Sequence, residues 1–501
     1  MLHRVVIATL VALAFRAPAP AQPPTPRAPA EPMKPLYVLE DSYVGWRLPP
    51  SEQAYAAIDG KHLKEYVSDQ AAISRHYRDN GHPQYWGRIS GTEGDAENAK
   101  WLEDTFRKIG LDEVHQQYFD LPDQWMAQSW AITAASGGKT LELTSAQPAH
   151  RTAGTSAEGL DLEAVDAGLA TDAELNARDL KGKAVFFYST DYFSRHATIS
   201  NGAWKRIGDR GAAAIFVILA VPGNIRTQFY PVGTNVPCFS LGLQDGVAIR
   251  EMIDSSLING KPTPPHVKVR LDVKMVPNLK TSTVWGTLPG MTDENVVIVG
   301  HRDGWFEGAN DNGTGVATMI GLAEYFAKIP KAQRRRTIIF LGTSGHHDGA
   351  ALSGAWLAQH KEFFAKTALL INSEHTAAEQ LVLGNGTLSK TNTSTALTWY
   401  VGGSARLGQI VVKAFDAFGV ATYDTPARTA AGEMGRYQTL APSMQVIDTG
   451  YYWHSDHETP EIIPPTALAA ITRAYAKIIT DLNKVEIKDI QRAPAATGGG
   501  Q

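Results

Sequence analysis

The hydrophobic pattern changes character twice along the chain. From about Ser51 to Gly110 it has a helical period: in Asn98–Ile109, Trp101, Leu102, Phe106 and Ile109 share one stripe and Gly110 closes it. From about Gln128 to Met275 the apolar residues fall in short β-like runs, among them KAVFFYS, AAAIFVILA and VKVRLDV, cut by Gly, Pro and Asp. From about Ser282 onward such runs alternate with helical stretches. VVIVG ends at Gly300, TIIFLG at Gly342, TALLIN at Asn372 and SMQVID at Asp448; helices are predicted near Thr314–Lys328, Ser353–Gln359 and Pro465–Leu482. Strands alternating with helices predict an α/β fold with a doubly wound, mixed but mostly parallel sheet, interrupted by an inserted β-rich domain. The boundaries read as 51–127 for the helical lead, 128–275 for the insertion and 276–487 for the α/β part.

The ends read differently. MLHRVVIATLVALAFRAPAPAQ has a basic start at Arg4, an apolar run Val5–Phe15 and an A-x-A-like site at Ala19-Pro20-Ala21. That is the pattern of a secretory signal over 1–21, and its apolar run is shorter than the about 20 residues of a membrane span. Eight prolines in 17–35 predict an extended tether over 22–50, and Gly498-Gly499-Gly500 a disordered tail over 488–501. The mature protein is expected to be secreted or periplasmic, without stable membrane insertion. Its one cysteine, Cys238 in VPCFSL, suits a bacterial periplasm and reads as a buried structural residue. The formal net charge of −4 excludes a chain-wide basic footprint, so nucleic acid is not an expected partner. The basic run Arg334-Arg335-Arg336 reads as a solvated face.

In an open α/β sheet, ligands bind beyond the carboxyl ends of the strands. VVIVG is followed by His301, Asp303 and Asp311; TIIFLG by His346, His347 and Asp348; TALLIN by Glu374 and His375; SMQVID by His454, Asp456, His457 and Glu458. Four strand ends thus deliver imidazole or carboxylate to one edge, and these are the groups that hold zinc. Asp311 lies in a small-residue loop, GANDNGTG, at a predicted helix start. It reads either as an ordinary helix cap or as a carboxylate whose two oxygens bridge two ions about 3.5–4 Å apart. Asp303 is placed to orient the His301 imidazole through its other nitrogen, or is a surface carboxylate. Trp305 and Tyr452 are placed either to line a substrate pocket or to pack in the core.

GHRDGWFEGANDNGTGVA resembles the signature of the co-catalytic zinc aminopeptidase and glutamate carboxypeptidase II family. RISGTEGDAENAKWLEDTFRKIGL resembles the family's N-terminal lead, SMQVIDTGYYWHSDHETPE its closing His motif, and the middle of the chain a protease-associated (PA) domain. The resemblance implies a zinc exopeptidase-like fold and two zinc ions, with one left open. His301, Asp311 and Glu374 would hold the first ion; Asp311, His347 and His454 the second. The chain departs from the family at GTSGHHDGAALSG, where two consecutive Glu, a general base and a ligand, are replaced by His346 and His347. His346 is then the candidate proton shuttle. Glu433 in GEMGRY stands near a substrate-side acid, and Asp348 or Glu433 is a substitute carboxylate. The implied function is an exported hydrolase of short peptides or amides, with a homodimer left open. Two alternatives are a non-catalytic binding protein, as in the transferrin receptor, and a single-metal acyl transferase similar to glutaminyl cyclases.

Overall fold

The computed structural model describes residues 43, 45–189, 202–230, 233–258, 264–347, 352–448 and 450–491. The expected signal segment, most of the tether, Asp348 and residues 492–501 lie outside the described residues, while the start of the expected disordered tail is helical, in Ile487–Ile490.

A seven-stranded sheet carries the α/β part. Its strands are β1 (Asp112–Asp120), β2 (Lys280–Leu288), β3 (Asn295–His301), β4 (Thr337–Thr343), β5 (Thr367–Ser373), β6 (Thr398–Gly402) and β7 (Ser443–Ile447), in the spatial order β6-β7-β5-β3-β4-β2-β1. The four central strands, β7, β5, β3 and β4, run parallel, and β6, β2 and β1 are antiparallel to their neighbours. The unbroken apolar runs of β3 and β5 follow from burial along their whole length, because both faces are covered. Alternation along β3 splits the core. Ile298 faces a cluster with Phe340 and Ile371, while Val297 and Val299 face Ile339, Leu341, Trp356 and Tyr400 on the other side.

Helices α1 (Gly60–Asp79), α2 (Glu93–Ile109), α3 (Gly315–Ala327) and α5 (Pro465–Leu482) pack on the first face through Val67, Phe106, Ile320 and Tyr475. Helix α4 (Ala405–Phe418) joins them beside α5. α2 starts five residues before the periodic stretch, because Thr92 caps it by accepting from the Asp95 amide. α3 is buried from Gly315 to Ala323, where its residues are small or apolar, and turns Glu324 toward His62 and Tyr66 of α1.

The chain leaves this sheet after β1 and returns to pair with β1 as β2. Between them, residues 124–276 build an eight-stranded sheet in which 160–166, 184–188, 214–218 and 238–241 run parallel and the remaining pairings are antiparallel. Cys238 is buried in the strand Cys238–Leu241, and burial pushes its thiol pKa up.

The reading of Arg334–Arg336 as a solvated face is corrected. Arg334 and Arg336 are buried. Arg334 donates to the carbonyls of Phe326 and Ile329 at the end of α3, and Arg336 to those of Leu482 and Val485 at the end of α5. Helix C-termini leave carbonyls without intrahelical partners and carry partial negative charge, so a buried guanidinium is satisfied there. Among the described residues, no helix is long and apolar enough to cross a membrane.

Candidate metal centre

The carboxyl ends of β3, β4, β5 and β7 meet at one buried point. His301 ends β3, His346 and His347 follow β4, Glu374 and His375 follow β5, and His454 follows β7. Asp311 lies at the centre, in the loop between β3 and α3. Its Oδ1 faces His301 Nε2 at 3.2 Å and His375 Nε2 at 3.0 Å. Its Oδ2 faces His454 Nε2 at 2.7 Å and His347 Nε2 at 3.3 Å. The last two nitrogens are 3.2 Å from each other. Donor atoms that share one tetrahedral zinc ion, at bond lengths of about 2.0–2.2 Å, lie about 3.3 Å apart. His301 Nε2, His375 Nε2 and Asp311 Oδ1 are buried and make no aligned hydrogen bond among the described residues. Buried polar atoms are normally partnered, and a shared cation would partner all three. The residues therefore fit two cations, one on each oxygen of Asp311.

The local chain explains why Asp311 is held so firmly. Arg88, fully buried, donates to the carbonyls of Arg302, Glu307 and Gly308. Gly308 stands at φ +51 with Arg88 and the Asp311 carbonyl against its Cα, where a Cβ would clash. The Asn312 amide donates to the carbonyls of His301 and Ser373 and accepts from the amides of Gly315 and His375. One side chain thereby ties the ends of β3 and β5 to the start of α3. Glu458 accepts from the Asp311 amide at 2.5 Å and the His454 amide at 2.6 Å, fixing the bridging carboxylate relative to the last imidazole. Trp453 donates to Asp311 Oδ2 at 2.8 Å, and its ring stacks on His454.

Asp303 is buried beside the cluster and reaches two imidazoles, its Oδ1 standing 3.6 Å from His301 Nδ1. Its Oδ2 accepts from the His347 amide and faces His347 Nδ1 at 3.1 Å, whereas His301 Nδ1 faces the Asp303 carbonyl at 3.1 Å. The carboxylate thus orients His347 and flanks His301, whose Nδ1 the carbonyl of the same residue approaches more closely. His346 stacks on His301 with ring centres 4.1 Å apart, its Nε2 3.8 Å from Glu374 Oε1. Glu374 Oε2 accepts from Asn372 Nδ2 and the Glu433 amide, and Glu374 Oε1 is 3.7 Å from His301 Nε2. Glu433 is buried with one oxygen accepting from Thr343. Trp305 lies over His347 and His454, with ring centres 4.5 and 4.7 Å away. Tyr452 packs instead against an apolar cluster of the second sheet and beside His457.

Burial opposes charge on all of these groups, and their contacts decide the outcome. Burial notwithstanding, Asp303 and Asp311 hold His301 well above its ordinary range. Asp311 and Asp303 push His347 up to about 9, and His375 and His347 hold Asp311 well below the carboxylate range. His346 goes the other way: burial, then the neighbouring His301 and His347, push it well below its ordinary value and leave its imidazole neutral. Burial raises Glu433 to about 7.

Sequence reasoning gave no role to Asn312, Glu458, Arg88 or His375. Glu458 and His375 stood in the right motifs; Arg88 reaches the site from a distant strand and left no local signal. It also missed Tyr230 of the second sheet's region, whose ring centre is 5.3 Å from that of His454. Next to it, Gln228 donates to the His454 carbonyl and Arg226 pairs with Asp456 at 3.0 Å.

A neighbouring histidine offers a pH test of this packing. His150 sits between Trp125 and Trp305 and is held down at about 3 by burial, Arg151 and His347. With its folded pKa below the unfolded value of 6.5, the unfolded chain binds the extra proton, so stability falls as pH drops from 6.5 toward 3. At pH 5 the loss is about 2 kcal/mol from this group. The unfolding free energy of His150→Gln should fall less steeply between pH 6.5 and 5 than that of the unsubstituted protein; equal slopes would contradict the assignment.

Residues 283–479 match the family model described as Peptidase family M28. The aminopeptidase YwaD of Bacillus subtilis (strain 168) is 25% identical over 264 residues, 50% of each chain, so the chain spans about half the length of that curated relative. Among solved structures, BSAP, a zinc aminopeptidase from Bacillus subtilis, superposes with a TM-score of 0.61 at 18% identity, covering 89% of this chain and 99% of that one. A Peptidase M28 precursor from Shewanella amazonensis SB2B gives a TM-score of 0.67 at 17% identity, covering 88% and 98%. At these identities the structural likeness speaks to the fold. Over residues 283–479, then, the chain is similar to Peptidase family M28.

Proposed function

We propose that this protein is an exported, dinuclear-zinc hydrolase of peptide or amide bonds, aminopeptidase-like in its substrates. The observation that carries the reading is the pair of Asp311 oxygens, each facing its own pair of imidazole nitrogens at 2.7–3.3 Å. The family match and the zinc aminopeptidase of the same fold support zinc as the metal. His301 and Asp311 Oδ1, with a donor from the end of β5, would hold one ion; Asp311 Oδ2, His347 and His454 would hold the other. The chemistry bound zinc supplies at such a site is polarisation of the scissile carbonyl and activation of water near neutral pH.

The chain's own residues do the rest. His346, neutral and beside His301, accepts the proton released as the nucleophile attacks and returns it to the leaving amine. This replaces the carboxylate base of the resembling family, just as His347 replaces a carboxylate ligand, so the proton-transfer step and the ligand set are both altered. Asp303 holds His347 in place, and Glu458 fixes Asp311 against His454. Trp305 and Tyr230 form the apolar wall on the His347–His454 side. The region 128–275 is read as a protease-associated insertion, supported by the segment 226–230 lying along 452–456 beside the site.

The test is a panel of aminoacyl amides and short peptides, with chelator and zinc add-back. Turnover should vanish with chelator and return with zinc. His346→Ala should lower kcat by on the order of 10²-fold or more with KM little changed. No turnover on any member would favour a binding protein, and ammonia release from N-terminal glutamine an acyl transferase.

A further inference from the structure

We propose that His375, rather than Glu374, is the third protein ligand on the Oδ1 side of Asp311; the inference rests on the dinuclear reading above. Three observations converge on it. His375 Nε2 is 3.0 Å from Asp311 Oδ1, and the donor atoms of His301, Asp311 and His375 all lie within 4.8 Å of one another. Glu374 falls instead into a group with His301 and His346. Its Oε2 is engaged by Asn372 and by the Glu433 amide, and its Oε1 is 3.7 Å from His301 Nε2 and 4.0 Å from His375 Nε2.

The second observation is the orphaned imidazole. His375 is buried, and neither ring nitrogen makes an aligned hydrogen bond among the described residues. His301 Nε2 and Asp311 Oδ1 are in the same condition. A direct hydrogen bond to Oδ1 is misaligned at both imidazoles, whereas one cation satisfies all three atoms.

The third is the backbone that delivers the ring. His375 stands at φ +47, a left-handed conformation that costs a non-glycine residue on the order of 1 kcal/mol or more. Its amide is held by Asn312 Oδ1, while Asn312 Nδ2 donates to the His301 carbonyl. The same side chain thus registers both imidazoles against one oxygen. Strain maintained by a dedicated anchor, aiming at Asp311 Oδ1 a ring that makes no aligned hydrogen bond there, is what a ligand requires.

The consequence is a nitrogen-rich centre of four imidazoles and one bridging carboxylate. Such a set favours zinc, cobalt(II) or copper(II) over magnesium, calcium or manganese. Glu374 is then left facing His346, the proposed proton shuttle.

The experiment titrates zinc into the full-length protein against a chromogenic chelator. The unsubstituted chain should bind two ions. His375→Ala should keep one, at unchanged affinity, through Asp311, His347 and His454, and weaken the other by more than about 100-fold. Glu374→Gln should keep both. Two ions at unchanged affinity in His375→Ala, with one lost in Glu374→Gln, would overturn the inference while leaving the dinuclear reading intact. No zinc in the unsubstituted chain would overturn that reading and this inference with it. Should His375→Ala fail to fold, the cobalt(II)-loaded unsubstituted protein decides by NMR. Four paramagnetically shifted, exchangeable imidazole N–H signals are expected; three would contradict the assignment.

Discussion

Asp311→Asn is expected to reduce zinc content from two ions per chain to one at most and to lower kcat/KM by at least on the order of 10³-fold. Among the described residues, the carboxylate is the only side chain that faces both imidazole pairs, His301 with His375 and His347 with His454. An amide offers one oxygen and no charge, so one of the two sites loses its acceptor outright and the other loses its anion. Removing a metal that polarises the reacting carbonyl costs several kcal/mol of transition-state stabilisation, and each 1.36 kcal/mol is about tenfold in rate. The loop should survive the change, since Arg88 and Glu458 hold it from outside and its own Asn312 ties it to the ends of β3 and β5. Metal analysis and steady-state kinetics on the same preparation check both halves. A variant that keeps two ions would show that Asp311 is a structural cap and not a bridge.

Arg88→Met is the larger effect on stability. The Arg88 guanidinium is wholly buried, held down at about 10 by burial, and donates to the Arg302, Gln70, Glu307 and Gly308 carbonyls and to Ser74 Oγ. A thioether of similar length fills the space and leaves those acceptors without donors. Each unsatisfied buried group costs about 1–3 kcal/mol, and breaking a buried charged network typically costs about 3–5 kcal/mol in all. Denaturant unfolding of the metal-free protein should therefore show a loss of about 3–5 kcal/mol. Because three of the acceptors, Arg302, Glu307 and Gly308, lie on the loop that carries Asp311, zinc affinity should fall as well. Arg335, partly exposed and paired with the exposed Glu486, is the control and should change stability by under about 1 kcal/mol when substituted. A change of similar size at both positions would contradict the claim that Arg88 organises the loop.

How much of this was legible in the sequence depended on range. The apolar runs ending at Gly300, Gly342 and Asn372 stand within one residue of β3, β4 and β5, and the helix read at Pro465–Leu482 has those bounds, because continuous burial leaves an unbroken apolar pattern. The hairpin of Glu379–Gly384 and Thr387–Ser394 went unread, since exposed residues such as Thr387 and polar ones such as Lys390 and Asn392 give it no apolar period. The residue types at the strand ends pointed to the cluster around Asp311. The orientation of each group was not legible. Asp303, two residues from His301, turns its carboxylate to His347, forty-four residues away. The basic run at Arg334–Arg336 looked solvated only because the carbonyl ends of α3 and α5 that it caps are remote in sequence. Tyr452 read either as a pocket residue or as packing, and the turn sends it toward the second sheet while Trp453 takes the contact with Asp311. Adjacency in a motif identifies which residues are present at a site; which of them touch is decided by loop geometry that residues such as Arg88 and Asn312 impose.

The most direct measurement of the central claim is anomalous X-ray scattering at the zinc edge from crystals of zinc-loaded protein. The account predicts two peaks about 3.5–4 Å apart, one beside each oxygen of Asp311. A single peak, or none, after zinc loading would contradict it.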